Sequence, residues 1–232
     1  MTVRRLLVIG AAGDVGRGVI AAACKRGWSV AAAGRNPATL ADAIAGHAGA
    51  VATPGNVSSD ASARALWDAA IAALGGIDAV IVSVNAPNRP RPLAEWTSSD
   101  LLELYADNVL THAVAARVFL PLLPPNGALV GIGGGTADFL IPGLAPVSMA
   151  QAAQRMLYAA LARETAGPAV RELMIVARVN GFSKVRGDGP GIIEAVEVGN
   201  RVCAIVSAPS EHAGPILKLA APDAAQKAGV AS

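Results

Sequence analysis

The chain has 232 residues, of which 53% are hydrophobic, 16% charged and only 3% aromatic, and its formal net charge is +2. One α/β domain covers that length, and the apolar fraction excludes a disordered chain. With so small a charge and no basic run, nothing in the sequence would draw in nucleic acid or an acidic membrane surface.

The first residues, MTVRRLLVIGAAG, set basic residues before an apolar run, but glycine ends that run after about four residues, short of the roughly 7 to 15 of a secretory signal. RLLVIG (5–10) is the first strand, and its glycine turn leads into a helix over about 15–26. WSVAAAG (28–34) reads as a second strand and PATLADAIAGH (37–47) as a second helix, with Pro37 in its first turn. AVATPGN (50–56) is a third strand, and SSDASARALWDAAIAAL (58–74) a helix capped by Ser58 or Ser59. DAVIVSVN (78–85) is the fourth strand, followed by the proline- and arginine-rich loop APNRPRPLAEW (86–96). A long helical stretch over 98–123 stops at Pro124 and Pro125. GALVGIGG (127–134) is the fifth strand, 147–166 a long helix, RELMIVARVNG (171–181) the sixth strand and GPILKLA (214–220) a short last one. Short apolar runs alternating with alanine-rich helices are the signature of βαβ units. The expected fold is therefore α/β, a Rossmann-type doubly wound parallel sheet of about seven strands with helices on both faces, in one domain over 1–232.

Cys24 and Cys203 stand far apart in apolar surroundings and give neither a disulfide framework nor metal-ligand spacing, so no metal is expected. No apolar stretch approaches the roughly 20 residues of a membrane helix. The expectation is a cytoplasmic protein with neither membrane nor nucleic-acid partners.

The segment VIGAAGDVG places Gly10, Gly13 and Gly16 between the first strand and the first helix, with Asp14 and Val15 inside the turn. In that context the first glycine permits the tight turn, the second lets the backbone approach a pyrophosphate, and the third lets helix and strand pack closely. The helix N-terminus adds N–H donors and the positive end of its dipole. At the end of the second strand a carboxylate would bond the ribose 2′-OH of NAD, whereas an arginine accommodates the 2′-phosphate of NADP. The sequence there is AAAGRNP, with Arg35 and no acid beside it, so the cofactor reading is NADP(H). Arg17 is a second, weaker candidate for the same phosphate or for the diphosphate.

Taken in order, these residues resemble the short-chain dehydrogenase/reductase family, over almost the entire chain. GAAGDVG is similar to the family's glycine turn in its GxxGxxG spacing. GNV, with Asn56 and Val57, resembles the Asp-Val pair that holds the adenine. SVNAP, with Asn85 and Ala86, resembles the segment after the fourth strand, and Asn108 falls where the family has its helix asparagine. RVNGF, with Asn180 and Gly181, lies where the family approaches the nicotinamide. The resemblance implies a serine at the end of the fifth strand and a Tyr-x-x-x-Lys on the next helix, the tyrosine serving as proton donor and the lysine lowering its pKa. Those positions fall on Gly134, Val147 and Gln151. Valine has no proton to give and glutamine no charge, although Gln151 can still hydrogen-bond ribose hydroxyls.

Tyr158 lies eleven residues beyond Val147, a rise of about 16 Å, and so cannot stand in for the tyrosine. Ser148, Thr136, Asp138, His112, Lys184 and Arg186 are the remaining polar candidates, each with a plain packing, capping or solvated role as its simpler reading. Two functions stay open. One is an oxidoreductase acting on a carbonyl or conjugated small molecule with a non-standard proton source; the other is a noncatalytic NADP(H)-binding sensor or partner subunit. A nonredox lyase or isomerase ranks below both. The resemblance also implies a homo-oligomer, a dimer or tetramer, through helices around 100–120 and 148–165.

Overall fold

The computed structural model describes residues 4–182 and 186–221. Its strands are β1 (Arg5–Ile9), β2 (Ser29–Gly34), β3 (Ala50–Pro54), β4 (Ala79–Val82), β5 (Ala128–Gly134), β6 (Ala169–Val176), β7 (Arg178–Asn180), β8 (Ile192–Glu194) and β9 (Ile216–Ala220). The α-helices are α1 (Asp14–Lys25), α2 (Pro37–Ile44), α3 (Asp60–Leu74), α4 (Ser98–Tyr105), α5 (Thr111–Phe119), α6 (Ala145–Glu164) and α7 (Ala195–Ser207). Seven strands form one sheet in the order β3-β2-β1-β4-β5-β6-β9, with every neighbouring pair parallel. The expected doubly wound architecture is thus observed, and the strand order reverses between β1 and β4, where such sheets open a crevice.

The period-2 alternation of the strands sorts the core into two layers. Leu6, Val8, Val30, Ile81 and Leu173 face one side, with Val19 and Ile20 of α1 and Val198 and Val202 of α7. Leu7, Ile9, Val80, Val82 and Leu129 face the other, with Leu66 and Trp67 of α3, Phe119 of α5 and Tyr158 of α6. Helix starts and stops follow local chemistry. Ser59 and Ser62 form a capping box at α3, Gly75 closes that helix in the left-handed region, and Thr97 and Asp100 form a second box at α4.

Two expectations need correction, and one helix has no counterpart among them. The stretch 98–123 is not one continuous α-helix: a π-turn over Ala106–Leu110 separates α4 from α5. The sixth strand does not run to residue 181. It ends at Val176, and β7 leaves the main sheet to pair with β8. Helix α7 went unread, because valine and isoleucine dominate it, glycine 199 interrupts it and glycines precede it. It seats on α1 at backbone distance: a Cβ on Gly18 would lie 2.0 Å from the Ala195 carbonyl oxygen, and one on Gly199 would lie 2.1 Å from that of Gly18.

Candidate cofactor and substrate site

Gly10 follows β1 with φ +78°, and a Cβ there would stand 2.1 Å from the Ser83 carbonyl oxygen, so this turn accepts only glycine. Its N–H and that of Ala11 donate to the Ala33 carbonyl at 3.1 and 3.0 Å, which fastens the turn to β2. Gly16 is equally constrained, with the Gly10 carbonyl 2.3 Å from where its Cβ would be. Gly13, by contrast, is exposed and meets nothing closer than 3.3 Å, so no side chain stands over the N-terminus of α1, while its own N–H donates to Gly10 O at 3.1 Å. Val15 packs against the core under the turn. Asp14 accepts from Phe182 N–H at 2.8 Å, and Gly181 lies directly against it, since a Cβ on Gly181 would come 2.0 Å from the Asp14 carboxyl carbon.

Arg35 sits on the bend after β2, exposed, with no hydrogen bond or ion pair among the described residues. Arg17 is anchored nearby: its Nε donates to Ala12 O at 3.0 Å, a terminal nitrogen reaches Thr39 O at 3.4 Å, and its guanidinium lies 5.9 Å over the Phe182 ring. The Asn56 carboxamide oxygen accepts from Ser58 N–H at 3.0 Å and from its hydroxyl at 2.6 Å, an Asx turn that leads into α3. Val57 beside it is buried against α3.

The opposite wall of the crevice is held together by neutral amides. Gln151 Oε1 accepts from Gly134 N–H at 2.5 Å, while its Nε2 donates to Asn85 Oδ1 at 3.0 Å. Asn108, buried in the π-turn, accepts from Ala86 N–H at 3.2 Å and donates to Leu104 O at 2.8 Å. Gln151 thereby joins β5, α6 and the segment after β4, and Asn108 fastens that same segment to α4. Val147, one turn before Gln151, is only 4% exposed and packs with Ala86, Leu104, Leu144 and Ala150. The Ser148 hydroxyl beside it is buried without a hydrogen-bond partner among the described residues.

Deeper in the same wall, His112 and Tyr158 are fully buried and joined at 2.9 Å. The other ring nitrogen, Nε2, lies 3.1 Å from the Val84 carbonyl, which can only accept, so Nε2 carries the hydrogen and Nδ1 accepts from the tyrosine hydroxyl. Burial pushes the imidazole down to about 4, against the opposing hydrogen bond to Val84. Burial also pushes the tyrosine hydroxyl well above its usual range, reinforced by Glu172. Both are neutral core groups.

The other polar candidates are engaged elsewhere. Asp138 is held in ion pairs by Arg155 of α6 and by Lys218 of β9, the latter at 2.5 Å. Arg186 pairs with Glu194 at 2.7 Å. Asn180 closes the loop after β7 through Gly187 and Glu194. Thr136 lies in the short turn after β5, and Lys184 falls outside the described residues.

Sequence reasoning passed over Gln154 and Glu172, which lie beneath Gln151. Gln154 lies three residues after Gln151 on α6, and Glu172 is an acid inside an apolar strand; both were available signals. The Asp14–Phe182 contact had none, because it joins residues 168 apart.

A glycine turn between β1 and α1, an arginine after β2 and a crevice at the strand-order reversal define the dinucleotide-binding class of doubly wound folds. The chain belongs to the short-chain dehydrogenase/reductase family: the family model described as Enoyl-(Acyl carrier protein) reductase matches residues 10–226. A 4-formylbenzenesulfonate dehydrogenase of Comamonas testosteroni is 30% identical over 137 residues, 58% of this chain and 52% of the relative. That match spans about half of the relative's length. Among solved structures, a short-chain dehydrogenase from Burkholderia cenocepacia in complex with NADP has a TM-score of 0.81 at 20% identity, covering 94% of this chain and 96% of that one. An alcohol dehydrogenase from Thermococcus sibiricus complexed with 5-hydroxy-NADP has a TM-score of 0.80 at 18% identity, with 94% and 97% covered.

Proposed function

We propose that the protein binds NADP(H) and reduces a small carbonyl or conjugated substrate through an atypical site, with Gly134, Val147 and Gln151 at the family's serine, tyrosine and lysine positions and water as the proton source. The observation that carries this reading is the double hydrogen bond of Gln151, which keeps the wall of the crevice in place with a neutral amide. The turn fits the cofactor: Gly10 and Gly16 permit no side chain, and Gly13 leaves the α1 N-terminus open. In this reading Gly10, Gly13, Asp14, Val15 and Gly16 border the diphosphate, Arg35 meets the 2′-phosphate, and Asn56 and Val57 flank the adenine. Asn85, Ala86, Gln151 and Gly181 border the nicotinamide riboside. NADP-bound structures among the neighbours support NADP(H) as the ligand.

The bound cofactor supplies a hydride. Gln151 Nε2 has two hydrogens and spends one on Asn85, which leaves the other for a ribose hydroxyl or for the substrate's carbonyl oxygen. A conjugated acceptor would receive that hydride at its β-carbon and a proton from water at its α-carbon, with Gln151 Nε2 hydrogen-bonded to its carbonyl oxygen. Such a substrate needs least from position 147, and the enoyl reductase description of the matching family supports it.

A noncatalytic NADP(H)-binding role is the second reading, favoured by the packing of Val147 in an apolar cluster. Calorimetric titration with NADPH and NADH, followed by NADPH oxidation against enones, aldehydes and ketones, separates the two. Preferential NADPH binding with enone turnover is the expected result. Binding without turnover selects the second reading, and no binding of either nucleotide refutes both. Exposed Leu102, Leu110, Met149 and Met156 support the homo-oligomer, to be checked by light scattering.

A further inference from the structure

We propose that Glu172 is carried as the neutral acid and donates its Oε2 hydrogen to Gln154 Oε1, closing a cyclic acid–amide pair that fastens α6 to β5 and β6 beneath the crevice. The first half of the ring is present: Gln154 Nε2 donates to Glu172 Oε1 at 2.9 Å. Both side chains are buried, at 0% and 1% exposure. The two remaining acceptors of this pair, Gln154 Oε1 and Glu172 Oε2, are both buried without a hydrogen-bond partner among the described residues. Two acceptors cannot satisfy each other, but one proton placed on Oε2 satisfies both. The same Gln154 nitrogen also donates to Ile132 O at 2.9 Å, so the pair fixes α6 to the strand that ends at Gly134.

The backbone is shaped for this carboxyl. A Cβ on Gly133 would stand 2.4 Å from Glu172 Oε1, so glycine leaves the space that the acid fills. The groups around it do not balance a charge. Arg155 of α6 attracts it but is committed to Asp138, which also holds Lys218 of β9. Tyr158 of α6 is neutral, as is His112 of α5 behind it. β5 presents only glycine here. Burial therefore dominates, and it pushes the Glu172 carboxyl from the usual 4.5 up to about 7, against the opposing pull of Gln154 and Arg155.

The direction of the pH effect follows. The folded chain holds this proton where an unfolded glutamate has lost it, so the pair's contribution is full below about pH 4.5 and is lost as pH rises through about 7. A difference of that size raises the unfolding constant by roughly 300-fold across the window. Glutamic-acid-selective ¹³C NMR on the wild-type protein reads the carboxyl directly. One buried carboxyl still protonated at mildly acidic pH and titrating near neutrality is the expected result; titration of every glutamate in the ordinary range overturns the proposal. Thermal melting across the same window is the second test, on Glu172→Gln, which keeps both hydrogen bonds and cannot ionise. Its melting temperature should lose the wild-type decline between about pH 5 and 8. An unchanged slope in the variant overturns the assignment to Glu172, and if the variant does not fold, the wild-type titration decides alone.

Discussion

Replacing Arg35 with glutamate tests the cofactor reading at its most exposed point. Arg35 has no partner among the described residues, so the substitution breaks no internal contact and its effect falls on the ligand. The adenosine 2′-phosphate carries about −1.5 to −2 charges. An exposed side chain meets it in a water-like dielectric, where two unit charges 4 Å apart interact by about 1 kcal/mol. Reversing the sign at residue 35 changes that interaction by two units of charge against nearly two, at most about 4 kcal/mol, and salt at physiological strength removes up to about half. The expected loss of NADPH affinity is therefore roughly 30- to 700-fold, and smaller as salt is raised. NADH has no phosphate at that place and should lose less than about threefold. Calorimetric titration of both variants with both nucleotides, at low and moderate salt, reads the difference. Equal losses for the two nucleotides, or a loss that does not respond to salt, would refute the placement of Arg35 at the phosphate.

Two other substitutions probe the frame of the site. Gly10→Ala forces a side chain into a left-handed backbone, at about 1–2 kcal/mol, and drives a Cβ into the Ser83 carbonyl. The melting temperature should fall by at least about 2 °C and NADPH binding should disappear; unaltered binding would remove the turn from the cofactor site. Tyr158→Phe takes the hydroxyl donor from buried His112 Nδ1 and should cost about 1–3 kcal/mol in denaturant unfolding while NADPH affinity stays unchanged. A large affinity loss in that variant would mean that the buried pair positions the crevice as well as the core.

The sheet was legible because its strands are short apolar runs bounded by glycine and proline, and because the helices between them start on readable residues, Pro37 and the Ser59 cap. Helix α7 was not, since its stability comes from contact with α1 at Gly18 and Gly199 rather than from residues that favour helix on their own. The π-turn at Asn108 was hidden for a related reason. Its extra residue lets Asn108 reach Ala86 N–H, and that partner lies 22 residues away. In the candidate site the glycine turn and Arg35 could be read from position alone. The pairings of Gln151 with Gly134, Gln154 with Glu172 and Asp14 with the loop after β7 depend on tertiary register, which no local pattern encodes.

That register also governs what reversion of the site requires. Gln151 accepts a hydrogen bond from Gly134 N–H and donates one to Asn85. A lysine at 151 can only donate, so Gln151→Lys alone strands the Gly134 N–H and places a charge in the buried wall. Val147→Tyr alone must displace Ala86, Leu104 and Leu144 from a packed cluster, at about 1–3 kcal/mol. Gly134→Ser is tolerable by itself, since its Cβ would lie 3.4 Å from Gln151 Oε1, an ordinary contact. Positions 134 and 151 are thus coupled through a hydrogen bond and 147 stands one turn before 151 on the same helix, so substitutions at 147 and 151 should be strongly non-additive. Gly134→Ser/Val147→Tyr/Gln151→Lys together should gain ketone reduction with NADPH, by about 10²–10⁴ over the parent, because the general acid and the group that tunes it arrive together. The double change at 147 and 151 should gain much less than the triple. Equal activity in the double and triple variants would show that Gly134 is not part of the coupled set, and a folded, NADPH-binding triple variant without ketone reduction would show that the crevice has diverged beyond its proton donor.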